Sequence, residues 1–445
     1  SLFNRRILTP NMLLLVFLIY WCVVHNQVQA SFADFSKNAC TELYYYPIKA
    51  FSRHCYVTLN GDTPVADIIQ RSGYKLERYV VTTSDGYVLT LFRIPPEEGD
   101  NRKDKQPIFL QHGIASDSAS WVTTGSLGFI LADEGYDVWL GNHRGTPNSQ
   151  EHTKYKSSDS EYWNFNLDDS SANDLKASLN EVARVTGKKG SIIYVGHSRG
   201  STIAFMFASQ FPNDTKELLQ GIVALSPIVY LELPSQWKLL LPAAPLIGVI
   251  FKYQFFSYQR SDFQKTLKHL GITSIFYHDK IIHLFLKHFC SLVPYICKYS
   301  SSMTFGQSNN FLPDNLLTTY SNFPRPISVA EVTQYVQIYN SGNFQKFDYG
   351  KEANLRKYQQ EKPPLYDLSQ INVPVVLLYG KHDTLLSTEK VDKFYKQLTV
   401  SKKSMESVPI GDSNEENAYN HVDFIQGKDI KKIFYNDLLN ILQSD

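Results

Sequence analysis

The sequence predicts an α/β fold in which a mostly parallel sheet carries helices on both faces. Short and almost continuously apolar runs alternate with stretches of helical periodicity, as expected for strands that are buried on both faces. A glycine-flanked serine lies between one such strand and the next helix, and residues 226–372 separate two of the strands. These observations predict one α/β core with a large insertion.

Five apolar runs are predicted to form the buried strands of this sheet. They are Pro107–Gln111, Tyr136–Leu140, Ser191–Val195, Gly221–Leu225 and Val373–Tyr379. Stretches of helical pattern, such as Leu175–Val185 and Thr202–Phe211, lie between them. This alternation favours parallel strands joined by helical crossovers.

The composition excludes several classes of protein. The chain has 445 residues, of which 43% are hydrophobic and 20% are charged, which is neither a disordered nor a low-complexity composition. Lys and Arg number 44 and Asp and Glu number 43, so the net charge is +1. This balance does not favour a nucleic-acid partner, because nucleic-acid binding needs a clustered basic surface.

Residues 1–30 are predicted to be a secretory signal peptide. Two arginines precede the apolar run Met12–Val24, which is shorter than the roughly 20 residues that span a bilayer. The small residues Val28 and Ala30 fit the pattern of a signal-peptidase site with cleavage after Ala30. We expect no membrane span in the mature chain. An uncleaved signal anchor is the alternative. Because the first methionine is Met12, we hypothesise that residues 1–11 are untranslated or truncated sequence.

The mature chain would keep four cysteines, an even number that is typical of disulfides in secreted proteins. Of the three possible pairings, closeness in sequence favours Cys290–Cys297 and Cys40–Cys55, with free buried thiols as the alternative. The sequence has no C-x-x-C pair, which argues against zinc, and we expect no metal and no cofactor. The sequon Asn213-Asp214-Thr215 predicts N-glycosylation at Asn213.

The strongest chemical signal is the string Gly196-His197-Ser198-Arg199-Gly200. It follows a predicted strand and opens a predicted helix, which is the context of a nucleophile elbow. Such a turn strains the serine backbone, and the close passage of strand and helix requires glycine two positions to either side. Ser198 is therefore the predicted nucleophile. A tight glycine turn with an inert serine is the alternative.

A serine nucleophile needs a general base. In hydrolases with this elbow the acid and then the histidine follow the serine along the chain. Asp383 lies just past the strand Val373–Tyr379, and His421 is the only histidine downstream of it. The sequence thus predicts that His421 accepts the Ser198 proton and that Asp383 orients the imidazole.

Four other residues compete for the roles of base and acid. His197 and His382 adjoin the serine and the aspartate, and we interpret both as structural. Asp412 and Asp423 are alternative acids, but neither closes a predicted strand.

The oxyanion hole is predicted to use two backbone N–H groups. One belongs to Arg199, the residue after the nucleophile. The other is that of Ile114, in the string Gln111-His112-Gly113-Ile114 at the end of the strand Pro107–Gln111. A surface His-Gly turn is the alternative for this second loop.

Several strings from about Pro64 to the C-terminus resemble the acid lipase family, which includes gastric and lysosomal acid lipases. They are LQHGIASDSASW (110–121), GYDVWLGNHRG (135–145), YVGHSRG (194–200), YNSGNFQKFDYG (339–350), YGKHDTLLS (379–387) and YNHVDFIQGKDIKKIFYN (419–436). The resemblance implies an α/β-hydrolase core, a helical cap and hydrolysis of neutral lipid esters without a cofactor. It also implies Ser198, Asp383 and His421 as the triad, with Ile114 and Arg199 as oxyanion donors.

The chain departs from this family in three short strings. Arg199 stands where the family usually has glutamine, HGIASD replaces the commoner HGLLAS, and GKHDTL replaces a more usual GGNDWL. The N–H of residue 199 survives the first change. We expect the long cation either to alter the acyl or head-group preference or to point outward.

Residues 226–345 are predicted to form the helical cap, because ordinary βα connections are far shorter than this segment. Its apolar stretches Leu239–Ile247 and Ile281–Phe289 would meet lipid and shield the serine from water, although packing on the core alone is the alternative. The resemblance favours a lid stapled by Cys290–Cys297. Residues 31–225 and 346–445 would then form the two parts of the core.

The predicted function is that of a secreted serine lipase acting at a lipid–water interface through an acyl-enzyme. Its substrates would be neutral lipid esters of the triacylglycerol or cholesteryl ester type. A soluble carboxylesterase for small esters and a catalytically silent lipid-binding protein are the alternatives. Secretion is favoured over lysosomal delivery, because a single sequon offers little glycan for receptor sorting. The sequence does not predict the oligomeric state.

Overall fold

The computed structural model describes residues 37–58, 63–97, 106–123, 126–232, 272–412, 414–428 and 430–443. The predicted signal peptide and the apolar stretch Leu239–Ile247 lie outside these ranges. In chain order the strands of the described part are β1 (Ala39–Cys40), β2 (Cys55–Tyr56), β3 (Glu77–Thr82), β4 (Tyr87–Ile94), β5 (Pro107–Gln111), β6 (Asp137–Gly141), β7 (Glu151–His152), β8 (Ile192–His197), β9 (Leu219–Leu225), β10 (Ser274–Ile275), β11 (Ile327–Ser328), β12 (Val375–Tyr379) and β13 (Lys403–Ser407).

The central sheet contains nine of these described strands, in the spatial order β13-β12-β9-β8-β5-β6-β4-β3, with β7 paired to β4. All neighbours from β13 to β6 are parallel, while β4 runs antiparallel to β6, β3 and β7. The prediction of a mostly parallel sheet is therefore confirmed. Each of the five predicted strands is present, within one or two residues at either end.

The α-helices of the described part surround this sheet. They are α1 (Val65–Arg71), α2 (Leu127–Asp133), α3 (Leu167–Asp169), α4 (Lys176–Thr186), α5 (Arg199–Gln210), α6 (Pro212–Leu218), α7 (Asp279–Leu292), α8 (Pro294–Phe305), α9 (Leu316–Asn322), α10 (Val329–Ser341), α11 (Lys351–Tyr358), α12 (Thr388–Gln397), α13 (Asp423–Gln426) and α14 (Asn436–Gln443). A π-helical stretch, Ser170–Leu175, joins α3 to α4.

Apolar layers cover both faces of the sheet, which explains why the parallel strands are continuously apolar. Successive residues of a strand point to opposite faces. In β8, Ile192 and Tyr194 therefore pack in one buried cluster with α5 side chains such as Phe205. Ile193 and Val195 pack in the other cluster.

The segment between β9 and β12 is largely helical where it is described, with α7 to α11 and the two-stranded β10–β11 sheet. A disulfide between Cys290 and Cys297 links α7 to α8, and a second joins Cys40 to Cys55. Both are the pairings favoured by the sequence. The four cysteines share one buried cluster with residues of α9, so the N-terminal β1–β2 module packs on the insertion. The predicted domain boundaries stay a prediction.

Within the described residues, no individual helix is long and apolar enough to cross a bilayer. The two stretches Lys280–Leu292 and Pro294–Phe305 together have a sufficient length and composition, but the chain bends by 115° between them.

Candidate active site

Ser198 sits at a sharp turn between β8 and α5, in the backbone conformation that the sequence predicts. Its φ is +53° and its ψ is −114°, a region that non-glycine residues rarely occupy. A Cβ on Gly196 would lie 2.7 Å from the carbonyl carbon of Gly200, and a Cβ on Gly200 would lie 2.3 Å from the carbonyl oxygen of Gln111. Both glycines are therefore required by close backbone contact, as expected for an elbow.

The three residues predicted to form a triad come together at the carboxyl edge of the sheet. Ser198 Oγ lies 2.8 Å from His421 Nε2, and His421 Nδ1 lies 2.7 Å from Asp383 Oδ2. The other Asp383 oxygen accepts the Leu385 N–H at 2.8 Å. With Nδ1–H donating to the carboxylate, Nε2 is left to accept the serine proton. All three side chains are buried.

The insertion supports the loop that carries His421. The His421 N–H donates to the Phe305 carbonyl at 3.1 Å, and the Asn420 side chain donates to the Gly306 carbonyl at 2.9 Å. The Phe305 ring lies almost parallel to the imidazole, with the centroids 6.1 Å apart. Gly306 has φ of +102°, and a Cβ there would lie 1.7 Å from the His382 carbonyl oxygen. The end of α8 is thus packed tightly against the loops of the base and the acid.

Three of the four competing residues have other side-chain partners, whereas within the described residues the buried Nδ1 of His382 has no hydrogen-bond partner. His197 Nε2 donates to the His421 carbonyl at 2.8 Å, and burial together with the nearby His421 lowers the pKa of His197 to about 3. Asp423 accepts the Asn420 N–H at 2.9 Å, while burial raises its pKa. Asp412 accepts hydrogen bonds from Asn414 and Asn417. These contacts hold the loops in place, in agreement with the structural role that the sequence assigns to His197.

The loop with Ile114 lies directly beside the serine. A Cβ on Gly113 would lie 3.2 Å from Ser198 Cβ. His112 Nδ1 donates to the Gly113 carbonyl at 2.9 Å, and His112 Nε2 accepts the His143 N–H at 3.2 Å. Because a trans peptide points its C=O and N–H in opposite directions, this contact fixes the direction of the Ile114 N–H.

The chain is similar to known hydrolases. Residues 65–125 match the family described as "Partial alpha/beta-hydrolase lipase region", and residues 106–413 match the "alpha/beta hydrolase fold" family. The lysosomal acid lipase/cholesteryl ester hydrolase of Homo sapiens is 35% identical, over 85% of this chain and 90% of that protein. The gastric triacylglycerol lipase of Bos taurus is 32% identical, over 86% of this chain and 91% of that protein. The chain belongs to the acid lipase family. Lipase member K of Homo sapiens, 32% identical over 85% of this chain and 90% of its own, is a further relative.

In this acid lipase family member Arg199 does not point outward, so the outward alternative was wrong, while an effect on acyl or head-group preference stays a prediction. Its side chain is 2% exposed, and Nη1 lies 2.8 Å from Oε1 of Glu331, which is 1% exposed. Glu331 lies in the first turn of α10. A guanidinium is too costly to bury without a counter-charge, and this carboxylate provides it. The backbone N–H of Arg199 is the first of α5, where no intrahelical acceptor exists.

Two residues of the site escaped the reasoning from sequence. His112 precedes the predicted donor Ile114, and its presence in a His-Gly pair was a usable signal. Glu331 has no local signal, because it lies far along the chain from Arg199. The one available indication was that a cation beside a buried nucleophile needs a carboxylate partner.

The predicted glycosylation residue lies away from these loops, on α6. Asn213 is exposed there, and the Thr215 hydroxyl of the same sequon donates to the Phe211 carbonyl at 2.8 Å. Among the described residues, no group of three or more His, Cys, Asp or Glu side chains is placed to hold a metal ion.

Proposed function

We propose that this acid lipase family member is a serine lipase that hydrolyses neutral lipid carboxylic esters through an acyl-enzyme intermediate. The observation that carries the proposal is the 2.8 Å contact between Ser198 Oγ and His421 Nε2, on an elbow whose base is in turn bound to Asp383. The substrate class is supported by relatives named as cholesteryl ester hydrolase and triacylglycerol lipase.

In the proposed reaction His421 Nε2 takes the Ser198 proton while Oγ attacks the ester carbonyl carbon. The carbonyl π electrons move to oxygen, and the N–H groups of Ile114 and Arg199 stabilise the resulting oxyanion. Collapse of this intermediate breaks the bond to the alcohol oxygen, which receives its proton from His421. A water molecule, deprotonated by His421, then releases the fatty acid from Ser198 by the same steps.

The exposed face of α7 and α8 is the proposed contact with the lipid surface. Large apolar side chains remain exposed on it, including Ile281 at 68% and Tyr299 at 67%. The set is Ile281, Leu284, Phe285, Phe289, Leu292, Tyr295, Ile296 and Tyr299. Burial of one such side chain contributes about 1.5–3 kcal/mol, so a few of them together would hold the enzyme on an emulsion.

This contact is tested by adsorption to triolein droplets. The double substitution of Ile281→Ser and Phe285→Ser should weaken adsorption and lower the rate on emulsified triolein, while the rate on a soluble short-chain ester stays the same. Leu365→Ser is the matched control, because Leu365 is also exposed, at 61%, but lies outside this face. Equal adsorption by the double variant and by the control would exclude this face as the lipid contact.

We also propose that the chain is secreted rather than delivered to lysosomes. The two disulfides require an oxidising compartment, and the single predicted sequon favours secretion. Expression in animal cells with separate assays of the medium and of the lysosomal fraction tests this point. Accumulation in lysosomes would contradict the proposal.

The central experiment replaces Ser198 by alanine and measures hydrolysis of emulsified triolein, cholesteryl oleate and short soluble esters. Loss of a serine nucleophile in such a triad typically costs about 10⁶-fold in rate. Ser209→Ala, near the other end of α5, is the matched control and should keep full activity. A fluorophosphonate should label the wild type and the control but not Ser198→Ala. Substantial hydrolysis by Ser198→Ala would exclude the proposed mechanism.

A further inference from the structure

A short segment of the insertion, Arg325–Glu331, contacts both loops that carry the proposed oxyanion donors. At one end, the Arg325 N–H donates to the Ala115 carbonyl at 2.7 Å. The Arg325 side chain also pairs with Asp117, with Nε 2.7 Å from Oδ2. Ala115 directly follows Ile114, so these contacts hold the first donor loop.

At its other end, the same segment holds the second donor. Glu331 Oε1 accepts Arg199 Nη1 at 2.8 Å, and Arg199 is itself the residue that supplies the N–H. Within the described part of the chain, Arg199 Nε has no hydrogen-bond partner. Glu331 is therefore the counter-charge that sets the direction of this guanidinium.

The carboxylates of Asp117 and Glu331 each use one oxygen for the ion pair and the other to accept a backbone N–H from a residue nearby in the sequence. Asp117 Oδ1 accepts the Ala119 N–H at 2.9 Å, and Glu331 Oε2 accepts the Ser328 N–H at 3.2 Å. Neither carboxylate can rotate without losing one of its contacts. Both lie in almost dry surroundings, with side-chain exposures of 1%, where an unpaired charge is strongly unfavourable.

The first donor loop also contains backbone strain that needs such support. Ala115 has φ of +52°, a left-handed conformation that is costly for alanine and persists where surrounding contacts over-determine it. The hydrogen bond from Arg325 to the Ala115 carbonyl is one such contact. The accepting carbonyl belongs to the Ala115–Ser116 peptide, two peptides after the one that contains the Ile114 N–H. A shift here would relax the strained Ala115 backbone and, through it, redirect the Ile114 N–H.

We propose that Arg325–Glu331 is a clamp that aligns the two oxyanion N–H groups with each other through the ion pairs Arg325–Asp117 and Glu331–Arg199. The four side chains are positioning residues, since they act through the backbone of Ile114 and Arg199. This inference rests on the proposed serine hydrolase function. The two donors act on charge that develops in the transition state, so loosening the clamp lowers kcat more than it raises KM.

The test uses the full chain and a soluble p-nitrophenyl ester, so that adsorption to lipid does not enter. Glu331→Gln leaves Arg199 buried without a counter-charge and should lower kcat by about 10- to 100-fold, the scale of a small misplacement of a catalytic group, with KM changed less than about twofold. The double variant Arg199→Gln/Glu331→Gln leaves no unpaired charge at this contact, and its two amides can keep the link as a neutral hydrogen bond, so it should recover most of kcat. Arg325→Gln, at the more exposed pair, should lower kcat in the same way.

The inhibition constant of a boronic acid is a measurement that should not change if the four side chains only stabilise the fold. The boronic acid adduct on Ser198 is tetrahedral and places an oxygen in the oxyanion hole, so the inhibition constant should rise in parallel with the fall in kcat. All rates are expressed per active site titrated with fluorophosphonate, which removes unfolded protein from the comparison.

Asp137→Asn is the matched control, because Asp137 is 3% exposed and pairs with Arg93 at 2.7 Å but begins β6, at the opposite end of the sheet. It should lower the melting temperature and leave kcat unchanged. If Glu331→Gln and Arg325→Gln behave like this control, the clamp is excluded while the proposed function stands. A wild-type chain that neither hydrolyses esters nor reacts with fluorophosphonate would overturn both proposals.

Discussion

His197 should make the folded protein lose stability as the pH falls. Its imidazole is buried beside His421, and its pKa is lowered from the ordinary value of 6.5 to about 3. In the unfolded chain the same side chain is protonated below pH 6.5, so the unfolded state binds more protons over this range. The stability that His197 contributes is therefore complete above pH 6.5 and declines as the pH approaches 3.

The size of this effect follows from the two pKa values. On going from pH 7 to pH 5 the unfolded histidine becomes almost fully protonated, whereas the folded one stays neutral. At 1.36 kcal/mol per pKa unit, the difference amounts to about 2 kcal/mol. Because the group is fully buried, solvent screening does not reduce it.

The assay is urea unfolding followed by tryptophan fluorescence at pH 7 and pH 5. In His197→Gln the amide can still donate to the His421 carbonyl, but it does not titrate. The variant should lose about 2 kcal/mol less than the wild type between the two pH values. Other buried histidines such as His112 are present in both proteins and cancel in the comparison, and His288→Gln, at an exposed position on α7, controls for the exchange of imidazole for amide. The same pH dependence in the wild type and in His197→Gln would refute the reasoning.

Three further substitutions have defined outcomes. Gly200→Ala should lower the melting temperature and abolish ester hydrolysis, because its Cβ would lie 2.3 Å from the Gln111 carbonyl oxygen; differential scanning fluorimetry and a fluorophosphonate titration measure the two effects. Asp383→Asn should reduce kcat by about 10⁴-fold with little change in KM, since the amide favours the wrong imidazole tautomer; steady-state kinetics on a soluble ester would contradict this if kcat were preserved. Asn213→Gln should remove the mass shift that an endoglycosidase produces on the chain secreted by animal cells, and a shift that persists would mean that another residue carries the glycan.

The sequence predicted the centre of the sheet better than its edge, for a physical reason. The parallel strands are buried on both faces and so read as continuous apolar runs, as in Ile192–His197. β3 has alternately half-buried and exposed residues. Its polar positions interrupt the apolar sequence, so it does not match the pattern of a strand that is buried on both faces. The neighbouring strand β4 is mostly buried and follows an Asp85-Gly86 turn, a combination that is typical of a hairpin strand.

The same division holds for the site. Ser198 and its flanking glycines form a local sequence motif that predicts the backbone geometry of the turn. The order of the acid and the base along the chain identified Asp383 and His421. The orientation of the Arg199 side chain could not be predicted from a local motif. Whether a cation beside the nucleophile points outward or inward depends on a carboxylate from α10, and the contact that brings Glu331 there exists only after the insertion has folded.

The insertion directly contacts the residues and loops that form the catalytic site. The end of α8 binds the backbone of the His421 loop through Phe305 and stacks a ring against the imidazole. The segment before α10 binds Ala115 through Arg325, and the first turn of α10 supplies Glu331 to Arg199. Two separate parts of the insertion thus support the site, one at the base and one at the proposed oxyanion donors. A core expressed without residues 226–345 would keep the elbow sequence but lose these contacts, so we expect it to lack ester hydrolysis even on small soluble substrates that need no lipid-binding surface.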